Sequence, residues 1–379
     1  MPRRIFANLL SRRDGPQPSA HPHAPAAPPA VTPEEVSFKR EVTLRLGKAA
    51  KRPSYLAYLE IREVIYRMMD TWRRVDPNAG PSRYWREEIE GFLYLFDASP
   101  LMIEKLRHEC YHITGIRDYE YRHHHRHKRG DFEYKYGRLK QIDPAGLFVP
   151  EAPELGGFGF ETGAGKANID TLKFYEVLIG LEKAGVLQPF LGKQKKRRTA
   201  VEIGAGWGGF AYQFRQLCPN ITYVLIDLPP TMLFSGVYLR TLYPEARCLF
   251  YGEDGFAEKA KDLSRFDFVF LPHFDYGALQ GQAIDLAINM VSFQEMTTEQ
   301  VDAYVRAMKD LGAPALYSLN RDRSKHNKQL SSVSEVMGAH YEVEALELLD
   351  LQYDQLKSFH AGQPAAVTDY RHLIGRLPA

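Results

Sequence analysis

The chain has 379 residues, 44% of them hydrophobic, with 49 Lys and Arg against 47 Asp and Glu. That is the composition of a folded protein of about two domains, and it excludes disorder throughout. A net charge of +2 gives no chain-wide field for nucleic acid, and the three cysteines (Cys110, Cys218 and Cys248) lack metal-like spacing and an even count, so reduced thiols in a cytoplasmic protein are expected. At the N-terminus Ile5 to Leu10, between Arg pairs, is too short for the core of an export signal, and no run approaches the roughly 20 apolar residues of a membrane span. The Pro- and Ala-rich stretch that follows cannot bury enough apolar surface to offset chain entropy, so residues 1–35 are expected as a disordered tail.

From Ser54 the apolar residues recur at three- and four-residue spacing: Leu56, Leu59, Ile61, Val64, Ile65 and Met68, then Ile89, Phe92, Leu93, Leu95 and Phe96. This predicts a helical N-terminal domain over 36–165 that serves as a lid or substrate domain. Asp76 to Pro81 reads as a turn within it, and Asp97-Ala-Ser-Pro100 as the start of a helix over Leu101 to Tyr111. Tyr121 to Lys140 carries seven Lys or Arg and four His among aromatics. A solvated charged face is the plainer reading, with contact to an anionic or sugar-bearing partner as the alternative; His123-His-His125 points its rings in different directions, a poor metal cage. Gly156 to Gly165 reads as a flexible loop, Asp170 to Leu187 as a helix, and Lys193 to Arg198, five cations in six residues, as a charged turn.

After Thr199 short apolar runs alternate with helical stretches: Ala200 to Ile203, Ile221 to Ile226, Phe266 to Leu271, Ile284 to Val291 and Ala315 to Leu319. Strands separated by helices predict an α/β, mostly parallel sheet covered on both faces. Arg247 to Tyr251 competes with Phe266 to Leu271 for the place of third strand. In Val201-Glu-Ile-Gly-Ala-Gly-Trp-Gly-Gly-Phe210, glycines let the backbone turn sharply and approach a ligand at the start of a helix. Nineteen residues beyond Gly208, the second strand ends at Asp227, where a carboxylate can accept both hydroxyls of a ribose. Gly204, Gly206 and Gly209 also satisfy the dinucleotide spacing, so a nicotinamide- or flavin-dependent oxidoreductase is a competing class. Against it, Glu202 stands where that fold usually has an apolar residue and where a carboxylate can pair with an ammonium group.

Glu202 to Gly208 resembles the first motif of class I S-adenosylmethionine-dependent methyltransferases, and Asp227-Leu228-Pro-Pro230 resembles their second-strand motif. The resemblance implies a Rossmann-like domain over 166–379. It places Glu202, Gly204, Ala205, Gly206, Trp207 and Gly208 along the methionine and ribose of S-adenosylmethionine, with Asp227 on the ribose and Leu228 and Asn289 beside the cofactor. Asp285-Leu-Ala-Ile-Asn-Met-Val-Ser-Phe-Gln-Glu-Met296, with Ser82-Arg-Tyr-Trp85, Ser99-Pro100, Lys105-Leu-Arg-His108 and Tyr111-His-Ile-Thr-Gly115, is similar to a family of sugar O-methyltransferases over Ser54 to Asn320. The acceptor implied is a sugar or glycan hydroxyl, with nucleotide-linked, lipid-linked and finished polysaccharide carriers all open.

Removing a proton from a neutral sugar hydroxyl calls for a base aligned with the methyl carbon. Glu295, just past the fourth strand, is the first candidate and His273 the rival, although His273 also suits the border of the cofactor's adenine. Ser292, Gln294 and Asn320, at C-terminal strand ends, are expected to reach the substrate, as are Arg321 to Arg323 and His326-Asn327. No compact carboxylate cluster marks a metal site, so a divalent metal is left unassigned despite Asp275. A non-enzymatic alternative is a glycan- or polyanion-binding protein on a methyltransferase-like scaffold.

Overall fold

The apolar runs beyond residue 198 become the strands of one eight-stranded sheet in the computed structural model, which describes residues 32–75, 81–122, 127–323, 327, 329, 332–349 and 370–378. The tail as far as residue 31, the turn expected at 76–80, His123 to His125 and His326 lie outside the described residues. Two units divide the chain, 1–44 and 45–379. The described part of the first is the beginning of the helix Pro33–Ala49; the sheet and the candidate site belong to the second.

The helical half forms as its spacing predicts. Helix Pro53–Val75 buries Tyr58, Ile61, Ile65 and Met68, one face of a 3.6-residue period. Ser82 caps the helix Arg83–Phe92 by accepting from the Trp85 amide at 3.4 Å. The single helix expected over 101–111 is instead three short ones, Pro100–Ile103, Leu106–Glu109 and Tyr111–Thr114, with Ser99 capping the first and Gly115 ending the last at φ 71°. Between the first two, Lys105 leaves helical geometry and Arg107 is fully buried.

Where a flexible loop was expected, β1 (Phe160–Thr162) and β2 (Gly165–Ala167) form an antiparallel hairpin. Thr162 closes its tight turn, its hydroxyl donating to the Gly165 carbonyl at 2.6 Å and accepting from the Ala164 amide at 3.2 Å. Helix Ile169–Lys183, opened by an Asn168–Thr171 capping box, leads to the main sheet. Its strands are β3 (Arg198–Ile203), β4 (Ile221–Asp227), β5 (Cys248–Phe250), β6 (Phe268–Pro272), β7 (Leu286–Met290), β8 (Ala315–Arg321), β9 (Glu342–Leu346) and β10 (Tyr370–Arg376).

They lie in the order β5-β6-β4-β3-β7-β8-β10-β9. β3 to β8 are parallel, and β10 runs antiparallel between β8 and β9. The fold is a Rossmann-like α/β sheet preceded by a helical region. The two runs that competed for the third strand both form, as neighbours β5 and β6. β9 and β10 had no apolar signal: β9 alternates Glu with small residues at the exposed sheet edge, and β10 carries Arg371, His372 and Arg376.

Successive residues of the central strands enter different cores. Ala200, Tyr223, Leu225, Phe268, Phe270 and Ile288 join Tyr58, Ile61 and Phe92 of the helical region on one face. Val201, Ile203, Val224, Ile226, Val269 and Ala287 pack on the other with Val301, Val305 and Met308 of helix Thr298–Asp310. The basic run is partly core as well. In helix His127–Gln141, Phe132 is buried and Lys135 is wholly buried on Glu176 at 3.1 Å. Among the described residues no helix is long and apolar enough to cross a membrane, and no group of His, Cys, Asp and Glu is arranged for a metal.

Candidate functional site

β4 and β7 flank β3 on opposite sides, so the chain order reverses at β3. In open α/β sheets the crevice outside the carboxyl ends of strands at such a point is where ligands bind. β3 ends there on the glycine turn. Gly204, Gly206 and Gly208 hold φ of 73°, 56° and 82°, the left-handed region that side chains avoid. A Cβ on Gly204 would stand 2.2 Å from Ser292 Oγ, and one on Gly206 3.4 Å from Ile113 of the helix Tyr111–Thr114. The turn is therefore pressed between the β7 loop and the helical region, and helix Gly209–Leu217 begins directly after it.

Glu202 and Asp227 occupy the carboxyl halves of the adjacent strands β3 and β4, where Glu202 pairs with Leu225 and Asp227 follows Ile226. Glu202 is buried, its Oε2 accepting from the Tyr223 hydroxyl at 2.9 Å. Burial pushes its carboxyl up to about 8, and the charge of Asp227 adds to the rise. Asp227 accepts the Gly206 amide on Oδ2 and the Leu228 amide on Oδ1, both at 2.6 Å. The Thr231 side chain is a third donor, which leaves one of the carboxylate's roughly four acceptor sites for a further partner. Burial raises Asp227 to about 6 against the pull of these bonds.

Beyond β7, Val291 adopts φ 54°, a rare conformation for a β-branched residue, and turns the chain into Ser292 to Glu295. Asn289 and Asn320 hold this turn from beneath. Asn320 Oδ1 accepts the amides of Ser292 (3.0 Å) and Gln294 (3.3 Å), while its Nδ2 donates to Asn289 Oδ1 and Ser318 Oγ, both at 2.8 Å. Asn289 donates to the Ile203 carbonyl at 2.8 Å and accepts from the Phe293 amide at 3.1 Å. Gln294 Oε1 accepts from the Arg321 amide at 2.9 Å, and Asn327 ties the Gln294 and Met296 carbonyls at 3.0 and 2.7 Å. Asn289, Gln294 and Asn320 are all buried, so the structure spends on the turn the hydrogen bonds that the sequence offered to ligands; Ser292 remains half-buried against Gly204.

Glu295 emerges from this platform, Oε2 accepting the Trp85 indole N–H at 3.0 Å. Burial raises its carboxyl to about 7; Trp85 and Arg321 pull it down, and Asp227 and Glu88 push it up. His273 follows β6, its amide donating to the Asp227 carbonyl at 2.9 Å and its ring edge-on to Trp72 at 4.5 Å and to Phe274 at 5.4 Å. Trp207 is buried beneath the glycine turn, with the Arg107 guanidinium 3.8 Å above its ring and Tyr238 at its edge. Arg107 itself bridges Glu151 (2.7 Å) and Asp170 (3.0 Å). Asp275 accepts from the Tyr251 hydroxyl at 2.9 Å, away from the three carboxylates just described. The three cysteines are free thiols that burial pushes up to about 12, which disqualifies them as nucleophiles near neutral pH.

Trp72 carried no sequence signal for this region, and Trp85, Arg107 and Ile113 stood only within segments that carry the family resemblance, with no site role. Trp85 and Glu295 are 210 residues apart, and an amphipathic helix gives no sign of which distant carboxylate one of its aromatics will meet.

No family model matches the chain, and no curated protein matches it. Among solved structures, the chain is similar to an O-methyltransferase family protein from Burkholderia thailandensis at 15% identity and a TM-score of 0.32, over 55% of this chain and 59% of that one, less than two thirds of its length. It is similar to human N-acetylserotonin methyltransferase in complex with SAM at 9% identity and a TM-score of 0.33, over 78% and 67% of the two chains. The N-methyltransferase NodS from Bradyrhizobium japonicum WM9, in complex with S-adenosyl-L-homocysteine, matches at 14% identity and a TM-score of 0.32, over 66% of this chain and 99% of its own.

Proposed function

We propose that the chain is an S-adenosylmethionine-dependent O-methyltransferase acting on a hydroxyl of a sugar or glycan. The observation that carries this reading is the carboxylate set Glu202, Asp227 and Glu295 around the glycine turn, with Asp227 raising both of the others. Three carboxylates pushed upward, Glu202 buried and Asp227 and Glu295 half-buried, favour a ligand that brings positive charge and hydroxyls, and they disfavour a pyrophosphate. This argues against the dinucleotide class more strongly than glycine spacing argues for it.

The chain's residues fit the cofactor. Asp227 would accept a ribose hydroxyl at the acceptor site its three donors leave, Gly204 leaves no room for a side chain, and Glu202 would hold the ammonium group as its carboxylate. When bound, S-adenosylmethionine supplies an electrophilic methyl group on a sulfonium. Glu295 takes the acceptor's hydroxyl proton, and a carboxyl near 7 is well matched to that task at neutral pH. His273, walled by Trp72 and Phe274, would border the cofactor's adenine. The sugar acceptor rests on the resemblance around Asp285 to Met296, and the cytoplasm is the compartment its unpaired thiols suit.

Calorimetric titration with S-adenosylhomocysteine, with NAD and NADP as controls, tests the cofactor. Binding of S-adenosylhomocysteine alone is expected; binding of a dinucleotide in its place would overturn the reading. With an acceptor in hand, turnover should be lost as pH falls below about 7, because Glu295 must be ionised to accept a proton. Glu295→Gln should lower kcat by about 10²–10⁴-fold with cofactor affinity retained.

A further inference from the structure

The helical region reaches the candidate site at separate points: Trp72 against His273, Ile113 over Gly206, and Trp85 on Glu295. The last is a direct hydrogen bond to the residue read as the base. Glu295 has a short turn beneath it, Phe293–Glu295, whose backbone is pinned by Asn320. That turn fixes where the side chain starts and leaves its carboxyl to rotate about several bonds. Only the Trp85 contact, 3.0 Å from indole nitrogen to Oε2, restrains the carboxyl itself among the described residues.

We propose that Trp85 is a positioning residue for Glu295: its indole N–H holds Oε2, leaves Oε1 to receive the acceptor's proton, and makes the setting of the base depend on docking of the helix Arg83–Phe92. The proposal rests on the methyltransferase reading for the base's purpose, and on the structure alone for the contact. In the step concerned the acceptor hydroxyl gives up its proton and Glu295 becomes a neutral acid. A neutral carboxylic acid accepts an indole N–H less strongly than a carboxylate, so the contact weakens as the proton arrives. The charged and titratable groups that face Glu295 are Asp227 from β4, Arg321 from β8, and Tyr84 and Glu88 from the same helix as Trp85.

The contact has its own optical signature, because an indole bonded to a carboxylate loses that bond when the acid is protonated. The chain has three tryptophans. Emission should therefore be followed through a pH titration of wild type, Trp85→Phe and Glu295→Gln, alongside calorimetry with S-adenosylhomocysteine. We expect one step near pH 7 in wild type, where Glu295 titrates, and its absence from both variants, with S-adenosylhomocysteine affinity in Trp85→Phe within about twofold of wild type. A step that persists in either variant belongs to another pair, such as Trp72 and His273, and overturns the assignment, as does the absence of any step in wild type. Loss of S-adenosylhomocysteine binding in Trp85→Phe would make Trp85 a general support of the site and also overturn it. If the step behaves as expected but wild type binds no S-adenosylhomocysteine, the tether stands and the cofactor reading fails.

Discussion

The strand ends on the two sides of the switch point use polar residues in opposite ways. On the β3–β4 side, Glu202 is buried and Asp227 half-buried, and both carboxyls are raised. On the β7–β8 side, Asn289 and Asn320 are neutral amides whose hydrogen bonds close upon one another and on the turn above. One side gathers raised carboxylates, and the other holds a strained turn at Val291 from which Glu295 projects. A polar residue at the C-terminal end of a parallel strand is thus no guide to its task until its partners are known.

The comparison can be tested hardest through the support it shares. Arg107 lies over the Trp207 ring, paired with Glu151 and Asp170, and removing it leaves buried Glu151 without a cation and Asp170 with Lys173 alone. Arg107→Met should lower the unfolding free energy by about 3–5 kcal/mol in urea denaturation. On the brace side, Asn320→Ala leaves the Ser292 and Gln294 amides without their acceptor, and a loss of about 2–4 kcal/mol is expected from the same measurement. If Asn320→Ala instead kept its stability and lost S-adenosylhomocysteine binding, the two sides would not be distinct in kind.

The β3–β4 side should respond to pH. A carboxyl raised in the folded state contributes stability that is present below its unfolded value of 4.5 and lost as pH rises through about 8, so Glu202 disfavours the ligand-free fold at alkaline pH. Glu202→Gln should raise Tm relative to wild type above about pH 8 while abolishing S-adenosylhomocysteine binding. For wild type, an ammonium ligand must displace that proton, so affinity should climb by up to about tenfold per pH unit toward pH 8 and then level off. The smallest effect is expected at Val291. Glycine there relieves about 1–3 kcal/mol of backbone strain, but adds chain entropy and removes a half-buried side chain, so Val291→Gly should shift stability by less than about 1 kcal/mol.

The glycine turn, the acid before it and the acid closing the second strand were readable because each is a local matter. A sharp turn needs left-handed backbone within a few residues, and an alternating texture of apolar strand and helix declares a parallel sheet wherever its runs are fully buried. The hairpin β1–β2 and the edge strand β9 escaped because short or half-exposed strands draw their stability from neighbours rather than from their own apolar content, and β10, mostly buried between β8 and β9, because Arg371, His372 and Gly375 interrupt its apolar residues. The stretch read as one helix over 101–111 breaks at Lys105, a departure from helical geometry that its apolar spacing does not announce.

By itself the sequence determined the Rossmann-like core, the turn at Gly204 to Gly208, and Asp227 at its strand end, since backbone preference and periodicity act over short stretches. The tertiary structure alone decided that Asn289 and Asn320 brace the turn above them, that Glu202 is buried against Tyr223, and that an indole 210 residues away meets Glu295. Those outcomes depend on which groups are left without water and which partners reach them, and burial of that kind exists only once the chain has packed.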